Sequence, residues 1–207
     1  MKRGIVNLFA EMTYEGGASI NGPFLGTLGA SAAMNTWSPG SCFAAGLMSF
    51  ELVSYHLSST RIVTEHWIPI FLALATAMAV AASLILGKLY DKVGIAVVVV
   101  AVVLASLFSP LVFFGGFWWA LGGLLLWGIG YATQDTLLKA IIAGVMPEGR
   151  RNLAFGLFYL GYGGGWLVGS ITAGLLYERS LTFLIAFSVV VQLASLPVFV
   201  LAQRMNR

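Results

Sequence analysis

The chain has 207 residues, of which 59% are hydrophobic and only 9% are charged, and its mean hydropathy is +0.91. A soluble domain averages roughly 45–50% apolar and about 25% charged residues, so this composition excludes a globular protein in water and indicates an integral membrane protein. The net charge of +3 comes from basic residues scattered at the ends of apolar runs, a pattern that argues against nucleic-acid binding. The single cysteine, Cys42, excludes an intrachain disulfide.

The first segment, Ile5–Met34, combines apolar residues with carboxylates, glycines and a proline. Glu11 and Glu15 lie four residues apart, which puts both on one face of a helix. A carboxylate at the centre of a span costs at least about 2.5–3.5 kcal/mol on insertion, so the segment needs neighbouring helices or a water-filled cavity. We therefore predict a helical or re-entrant segment, whose two carboxylates either bind a cation or proton or are solvated.

Six apolar runs follow, and the short connections between them hold most of the charges. The runs are Cys42–Leu57, Trp67–Gly87, Gly94–Phe114, Phe117–Leu138, Leu153–Tyr177 and Leu181–Ala202. The last five are long enough to cross a bilayer of about 30 Å at about 1.5 Å per residue, whereas the first is short and carries Glu51. The sequence therefore predicts an all-α, polytopic membrane helix bundle with six transmembrane helices in addition to the N-terminal segment.

Lysine and arginine residues predict how the bundle lies in the membrane. One side of the six helices holds the connection with Lys88 and Lys92, a pair of adjacent arginines and the C-terminal arginines, and the other side holds less positive charge. The positive-inside rule then predicts a cytoplasmic C-terminus, in a cytoplasmic (inner) membrane. Lys2 and Arg3 also favour the cytoplasm, which conflicts with a single span before the first run. Either the first segment is re-entrant or peripheral, or these two charges yield to the downstream signal.

Two of the runs carry a small residue at every fourth position. The stripes are Gly161, Gly165, Gly169 and Ala173 in one run, and Ala75, Ala79, Ser83 and Gly87 in another. In lipid, close backbone approach at small residues is a main source of helix association. We interpret the stripes as contacts between helices of one chain; the alternative is that a stripe faces a second copy or slides as a gate.

Polar residues inside apolar runs are costly in lipid and are therefore candidates for function. Glu51 shares a helix face with Tyr55, one turn later. A buried carboxylate with hydroxyl neighbours suits proton uptake and release during transport; alternatively it holds helices together. Asp135 and Lys139 are also four residues apart, in the favourable acid-before-base order. They form either an ion pair at a helix end or a gating or substrate contact.

A charged turn separates the second and third apolar runs. Residues 87–94 read GKLYDKVG, a G-x-x-x-D-K-x-G pattern formed by Gly87, Asp91, Lys92 and Gly94. We expect Gly87 to end one helix and Gly94 to let the backbone reverse, while Asp91 can accept hydrogen bonds at a helix N-terminus. By itself, such a turn is also compatible with an ordinary solvated hairpin.

This octapeptide resembles the motif in the loop between the second and third helices of major facilitator superfamily transporters, a motif repeated more loosely between the eighth and ninth. Lys92 replaces the more usual arginine. Residues 147–156, PEGRRNLAFG, resemble the loop between the tenth and eleventh helices of the same superfamily. The resemblance implies that residues 41–207 form a six-helix bundle like the C-terminal half of a twelve-helix transporter.

The front of the chain resembles a different part of the same family. Residues 6–15, VNLFAEMTYE, and the stretch that follows resemble the first helix of such a transporter and the loop after it, so residues 1–40 form a separate segment. The resemblance implies an internally shortened protein, in which a first helix is joined to a seventh at about residues 35–42. The conflict in orientation between Lys2 and Arg3 and the downstream basic residues agrees with this. The first helix of such a transporter ends outside the cytoplasm, whereas the seventh helix begins in it.

The resemblance implies a secondary transporter that moves a small solute across the lipid bilayer. Because rocking needs two bundles around a midplane site, one half implies a homodimer or a separate half-transporter as partner. The alternative is a non-transporting protein, either a truncated relic or an accessory membrane subunit. We do not expect an enzyme, since the chain has no G-x-x-x-x-G-K-[ST], G-x-S-x-G or H-E-x-x-H motif, and we predict neither a cofactor nor a metal.

Overall fold

A computed structural model describes residues 40–139 and 151–205 of the chain. Within these two ranges the regular elements are all helices, which confirms the all-α prediction. The helices are α1 (residues 40–46), α2 (Phe50–Ser59), α3 (Trp67–Val93), α4 (Ala96–Ser106), α5 (Phe108–Phe114), α6 (Phe117–Ala132), α7 (Arg151–Arg179) and α8 (Leu181–Met205). A π-helical turn, Thr133–Leu138, directly continues α6. Glu11 and Glu15, and with them the N-terminal segment, lie outside the described residues.

The last five apolar runs each coincide with one helix or with two consecutive ones. By length and composition, two stretches of the described residues qualify as membrane spans: α3, and Ala96–Phe114, which joins α4 and α5. A shorter apolar stretch, Leu181–Pro197, lies in α8. The number of six transmembrane helices stays a prediction.

The first apolar run is divided, although its composition predicts one continuous helix. It folds as α1 and α2, and residues 47–49 between them are not helical. Ser49, at the end of the break, has an extended backbone with φ −66° and ψ 150°. Glu51 therefore lies in the first turn of α2 and not in the middle of one continuous helix, which corrects its predicted position.

The charged turn at residues 87–94 also differs from its prediction. Gly87 does not end a helix: α3 continues to Val93, so Asp91 and Lys92 lie on its last turn. One glycine in a helix costs only about 1 kcal/mol relative to alanine, too little to stop a helix that is packed on its neighbours. Gly94 does end α3, with φ +71°, a conformation that favours glycine, and its N–H donates to the Tyr90 carbonyl at 2.8 Å.

At the centre of the bundle, α6 packs against α3, α4 and α5. Gly128 of α6 lies against the backbone of α3, where a Cβ atom would overlap the Ala75 carbonyl. Ala75 and Ala79 are both buried in this contact. The stripe of small residues on α3 therefore packs within the chain, as the first interpretation predicts.

Helix α7 also packs closely on α1 through glycines. Gly165 lies against the backbone of Ser41, and Gly169 lies against the backbone of Ala45, so that a Cβ atom at either glycine would overlap the α1 backbone. Two backbones approach this closely only where side chains are absent, and such contacts stabilise helix pairs in lipid. The stripe on α7 is therefore also an intramolecular contact.

An aromatic cluster lies where α3 begins and where α5 turns into α6. The rings of Trp67 and Phe71 each pack edge-on against Phe117, with ring centroids 5.2 Å apart in both pairs. The neighbouring Trp118 is 77% exposed. Exposed tryptophans at the end of a helix bundle are typical of the interface between lipid and water. The charged turn at residues 87–94 lies at the opposite end, because α3 runs between the two.

Replacing Gly169 with alanine should weaken the contact between α1 and α7. The added Cβ atom overlaps the backbone of Ala45, and overpacking of this kind costs about 1–3 kcal/mol. We expect Gly169→Ala to lower the midpoint of thermal unfolding in lipid nanodiscs, measured by circular dichroism. Gly164→Ala on the same helix is the control, because a Cβ atom there meets nothing within 4 Å. Equal midpoints for the two variants would contradict the close contact.

Candidate functional site

Side chains from two other helices hold the break between α1 and α2. The Gly46 carbonyl accepts hydrogen bonds from Ser188 Oγ at 2.8 Å and from Gln192 Nε2 at 3.1 Å, both on α8. The Met48 carbonyl accepts a hydrogen bond from Trp127 Nε1 of α6 at 2.8 Å. The unwound backbone is thus bound by α6 and α8 at once.

These hydrogen bonds replace the ones that a continuous helix would make within its own backbone. A buried carbonyl without a donor costs about 1–3 kcal/mol, and the core of a bilayer has no water to supply one. Gly46 is also closely packed, since a Cβ atom there would lie 2.6 Å from Gln192 Cγ. These donors belong to no recognised motif; the signal that could have identified two of them is the helical spacing of Ser188, Gln192 and Ser195 in an apolar run.

Glu51 lies on a face of α2 that residues 40–139 and 151–205 leave exposed. Tyr55, one turn later on this face, is 60% exposed, whereas Val53 and Leu57 on the opposite face are fully buried. In residues 40–139 and 151–205, no hydrogen bond or ion pair joins the Glu51 carboxylate to another side chain; Ser54 Oγ donates instead to the Glu51 backbone carbonyl, at 2.9 Å. The expectation of a carboxylate buried within this chain is therefore wrong, because the outward face of α2 carries it.

The buried face of α2 carries a histidine that is tied to the end of α7. His56 is 1% exposed, and its Nδ1 shares a hydrogen bond of 3.1 Å with the Tyr177 hydroxyl. The His56 ring also packs against Phe113, with centroids 4.7 Å apart. The ring of Tyr177 lies 5.7 Å from that of Tyr55 and nearly perpendicular to it. Tyr177 therefore contacts both faces of α2, the buried one and the exposed one.

The second group of candidate residues lies on the π-helical turn after α6. Asp135 and Lys139 form the predicted ion pair, and Lys139 Nζ lies 5.8 Å from the centre of the Tyr159 ring on α7. Beside the pair, the buried Gln134 accepts a hydrogen bond from the Tyr162 hydroxyl at 2.5 Å. π-helical turns are often found at functional sites. The pairing of Gln134 with Tyr162 is a contact between distant residues that the sequence did not predict.

The charged turn and this π-helical turn lie side by side. A Cβ atom at Gly87 would lie 3.9 Å from Thr136 Cγ2, so the last turns of α3 are packed on the end of α6. The structure thus brings Gly87, the first residue of the turn, next to Thr136, which follows Asp135 in the π-helical turn. Glu51 lies apart from them, on a separate helix. Within the part of the chain that the structure describes, no three histidine, cysteine, aspartate or glutamate residues are placed to hold a metal.

Apolar helices of this length, packed through small residues around a few hydrogen-bonded polar side chains, define a polytopic integral membrane protein. The family model of the Major Facilitator Superfamily matches residues 8–205. The chain belongs to the Major Facilitator Superfamily. Members of this family are transporters and not enzymes.

Three curated proteins are similar to the chain: one from Mycobacterium bovis and one from each of two strains of Mycobacterium tuberculosis, all named as uncharacterized proteins. Each is 28% identical over 162 residues, which make up 78% of this chain and 39% of the relative. The chain therefore spans about two fifths of the length of these relatives. No solved structure matches the chain.

Replacing Trp127 with phenylalanine should destabilise the fold by leaving the Met48 carbonyl without its donor. A smaller aromatic ring stays at the position, so part of the packing against Phe50 is kept. We expect a loss of about 1–3 kcal/mol in the free energy of unfolding, measured by denaturant titration in detergent micelles. Trp118→Phe on the same helix is the control, and as an exposed site it should change stability by less than about 0.5 kcal/mol. Similar losses in both variants would show that the hydrogen bond adds nothing.

Proposed function

We propose that this chain is one six-helix unit of a secondary transporter, and that its Glu51 face lines a cleft shared with a second unit. In this proposal a small solute passes through the cleft, and Glu51 takes up and releases a proton as the two units rock. The supporting observation is that, among the described residues, the Glu51 carboxylate is exposed on the outer face of a largely apolar helix bundle.

The energetics of lipid favour a cleft at this face. A carboxylate exposed to acyl chains costs about 2.5–3.5 kcal/mol or more, so the Glu51 face requires either a water-filled cavity or another protein against it. Tyr55 on the same face adds a hydroxyl and an aromatic surface, which are common in ligand-binding cavities. A second unit that packs around this face and encloses a water-filled cavity would keep the Glu51 carboxylate away from the acyl chains.

The need for a second unit follows from how such transporters work. Alternating access is a rocking of two bundles around a site near the middle of the membrane. The chain matches only 39% of the length of each relative, so each relative has room for a further bundle beyond the matched part. We propose that a second copy of the chain, or a separate half-transporter, takes that place.

The opposite end of the bundle supplies the moving contacts in this proposal. The helix end that carries Asp91 and Lys92 packs at Gly87 on Thr136, which lies between Asp135 and Lys139 in the chain, and the basic residues predict that this end is cytoplasmic. Ion pairs at a helix end can break and re-form as bundles move, so these residues are candidates for a cytoplasmic gate. The C-terminus, in the same orientation, faces the cytoplasm from the inner membrane.

The mass of the protein in lipid tests whether a cleft can form. We expect the full chain, extracted gently into nanodiscs and weighed by native mass spectrometry, to have twice the 22.1 kDa of one chain or to carry a second membrane protein. A stable monomer with no partner would overturn the shared cleft. It would favour the non-transporting alternative, either a relic or an accessory subunit in its free state.

Proton coupling is tested by removing the charge of Glu51. In proteoliposomes with an internal pH dye, a panel of small solutes should contain at least one whose entry carries protons inward. We expect Glu51→Gln to abolish the proton movement, while Glu65→Gln, an exposed glutamate between α2 and α3, leaves it intact. Proton-coupled uptake that is unaffected by Glu51→Gln would remove Glu51 from the mechanism.

A further inference from the structure

The Gly46 carbonyl is at the centre of a closed set of hydrogen bonds. Besides its bonds from Ser188 Oγ at 2.8 Å and Gln192 Nε2 at 3.1 Å, the same Gln192 nitrogen lies 3.0 Å from Ser188 Oγ. Ser188 and Gln192 are both fully buried. Three polar groups therefore form a triangle in a part of the bundle that is otherwise apolar.

These donors compete with helix formation across the break. In a continuous helix, the Gly46 carbonyl would accept the backbone N–H of residue 50. In the structure α8 satisfies this carbonyl from outside, so α1 and α2 can separate here without leaving it unpaired. If the donors of α8 were removed, winding the backbone into one helix would be the remaining way to pair the carbonyl.

Gln192 makes little other use of its polarity. Its Oε1 atom is buried and, in the described part of the chain, has no hydrogen-bond partner. A buried side-chain amide whose oxygen makes no hydrogen bond costs free energy compared with an apolar side chain of similar size. The contribution of Gln192 to the fold is therefore the pair of hydrogen bonds from its Nε2 atom to Gly46 and Ser188.

We infer that Gln192, assisted by Ser188, is a positioning residue: its hydrogen bond to the Gly46 carbonyl holds the break open and so sets the direction in which α2 presents Glu51. Glu51 follows Gly46 by five residues, so a rewound helix would turn it to a different side of the bundle. The part of this inference that concerns Glu51 rests on the proposed function; the part that concerns the break does not.

Two spin labels across the break test the inference. The native Cys42, the single cysteine of the chain, carries one label on α1, and Ser58→Cys on the exposed face of α2 carries the other. A helix continuous from residue 42 to residue 58 would hold the two α-carbons about 24 Å apart at about 1.5 Å per residue. Double electron–electron resonance on the full chain in nanodiscs measures how the populations divide between this distance and that of the broken form.

Gln192→Met keeps the length of the side chain but removes its donor. We expect it to lower the population at the dominant distance of the parent pair and to add a population at about 24 Å. Ser188→Ala should change the populations in the same direction but less. Ser195→Ala is the matched control. Ser195 is equally buried on α8, but its hydroxyl donates to the Gln192 backbone carbonyl at 2.6 Å and not to the break, so the distances should match those of the parent.

Distances in Gln192→Met that equal those of the parent would overturn the inference. If Gln192→Met does not fold, Gln192→Leu, which also lacks the donor, takes its place, and an unchanged distance distribution there would overturn the inference as well. A shift in Gln192→Met together with unchanged proton-coupled uptake in Glu51→Gln would leave the role of Gln192 at the break intact and overturn only the proposed function of Glu51. Failure of the inference about Gln192 can therefore be distinguished from failure of the proposed function of Glu51.

Discussion

Inside a bilayer every backbone carbonyl needs a donor from the protein, and this constraint determines how the chain is organised around the break in its first helix. An ordinary helix meets the requirement by itself. Here the helix is broken at residues 47–49, and donors from other helices pair two of its carbonyls: Trp127 of α6 bonds Met48, and Ser188 and Gln192 of α8 bond Gly46. The break therefore depends on helices that are far away in the sequence.

Close packing through glycine supports the same arrangement. Lipid gives apolar helices little reason to associate, so contact area has to come from shape. Gly128 lets α6 approach α3, and Gly165 and Gly169 let α7 approach α1. With α6 and α7 held so near, their side chains reach the residues that the proposed function uses. Tyr177 contacts α2, and Tyr162 contacts the π-helical turn beside Asp135.

The sequence predicted the apolar runs well and the interruptions poorly. Residues 47–49 are Leu, Met and Ser, with nothing in them that forces a break; its cause is the set of donors on α8 and α6, which only folding brings together. Gly87 shows the reverse error: glycine weakens a helix locally, but tertiary packing carried α3 past it to Gly94. Asp135 and Lys139 were correctly paired because their contact is local. The outward position of Glu51 depends on the break, so it could not be predicted before the break was known.

The parallel course of α7 beside α1 and α2 has a mechanical consequence. Its middle lies on α1 through Gly165 and Gly169, where backbone meets backbone, and its end reaches α2 through Tyr177, which shares a hydrogen bond with His56 and packs its ring against Tyr55. The first contact leaves no space for α7 to shift toward α1. The second depends on side chains, which can change rotamer while both backbones stay in place. Helix α7 therefore contacts the two pieces of the divided helix in different ways: it packs on α1 through backbone atoms and on α2 through side chains.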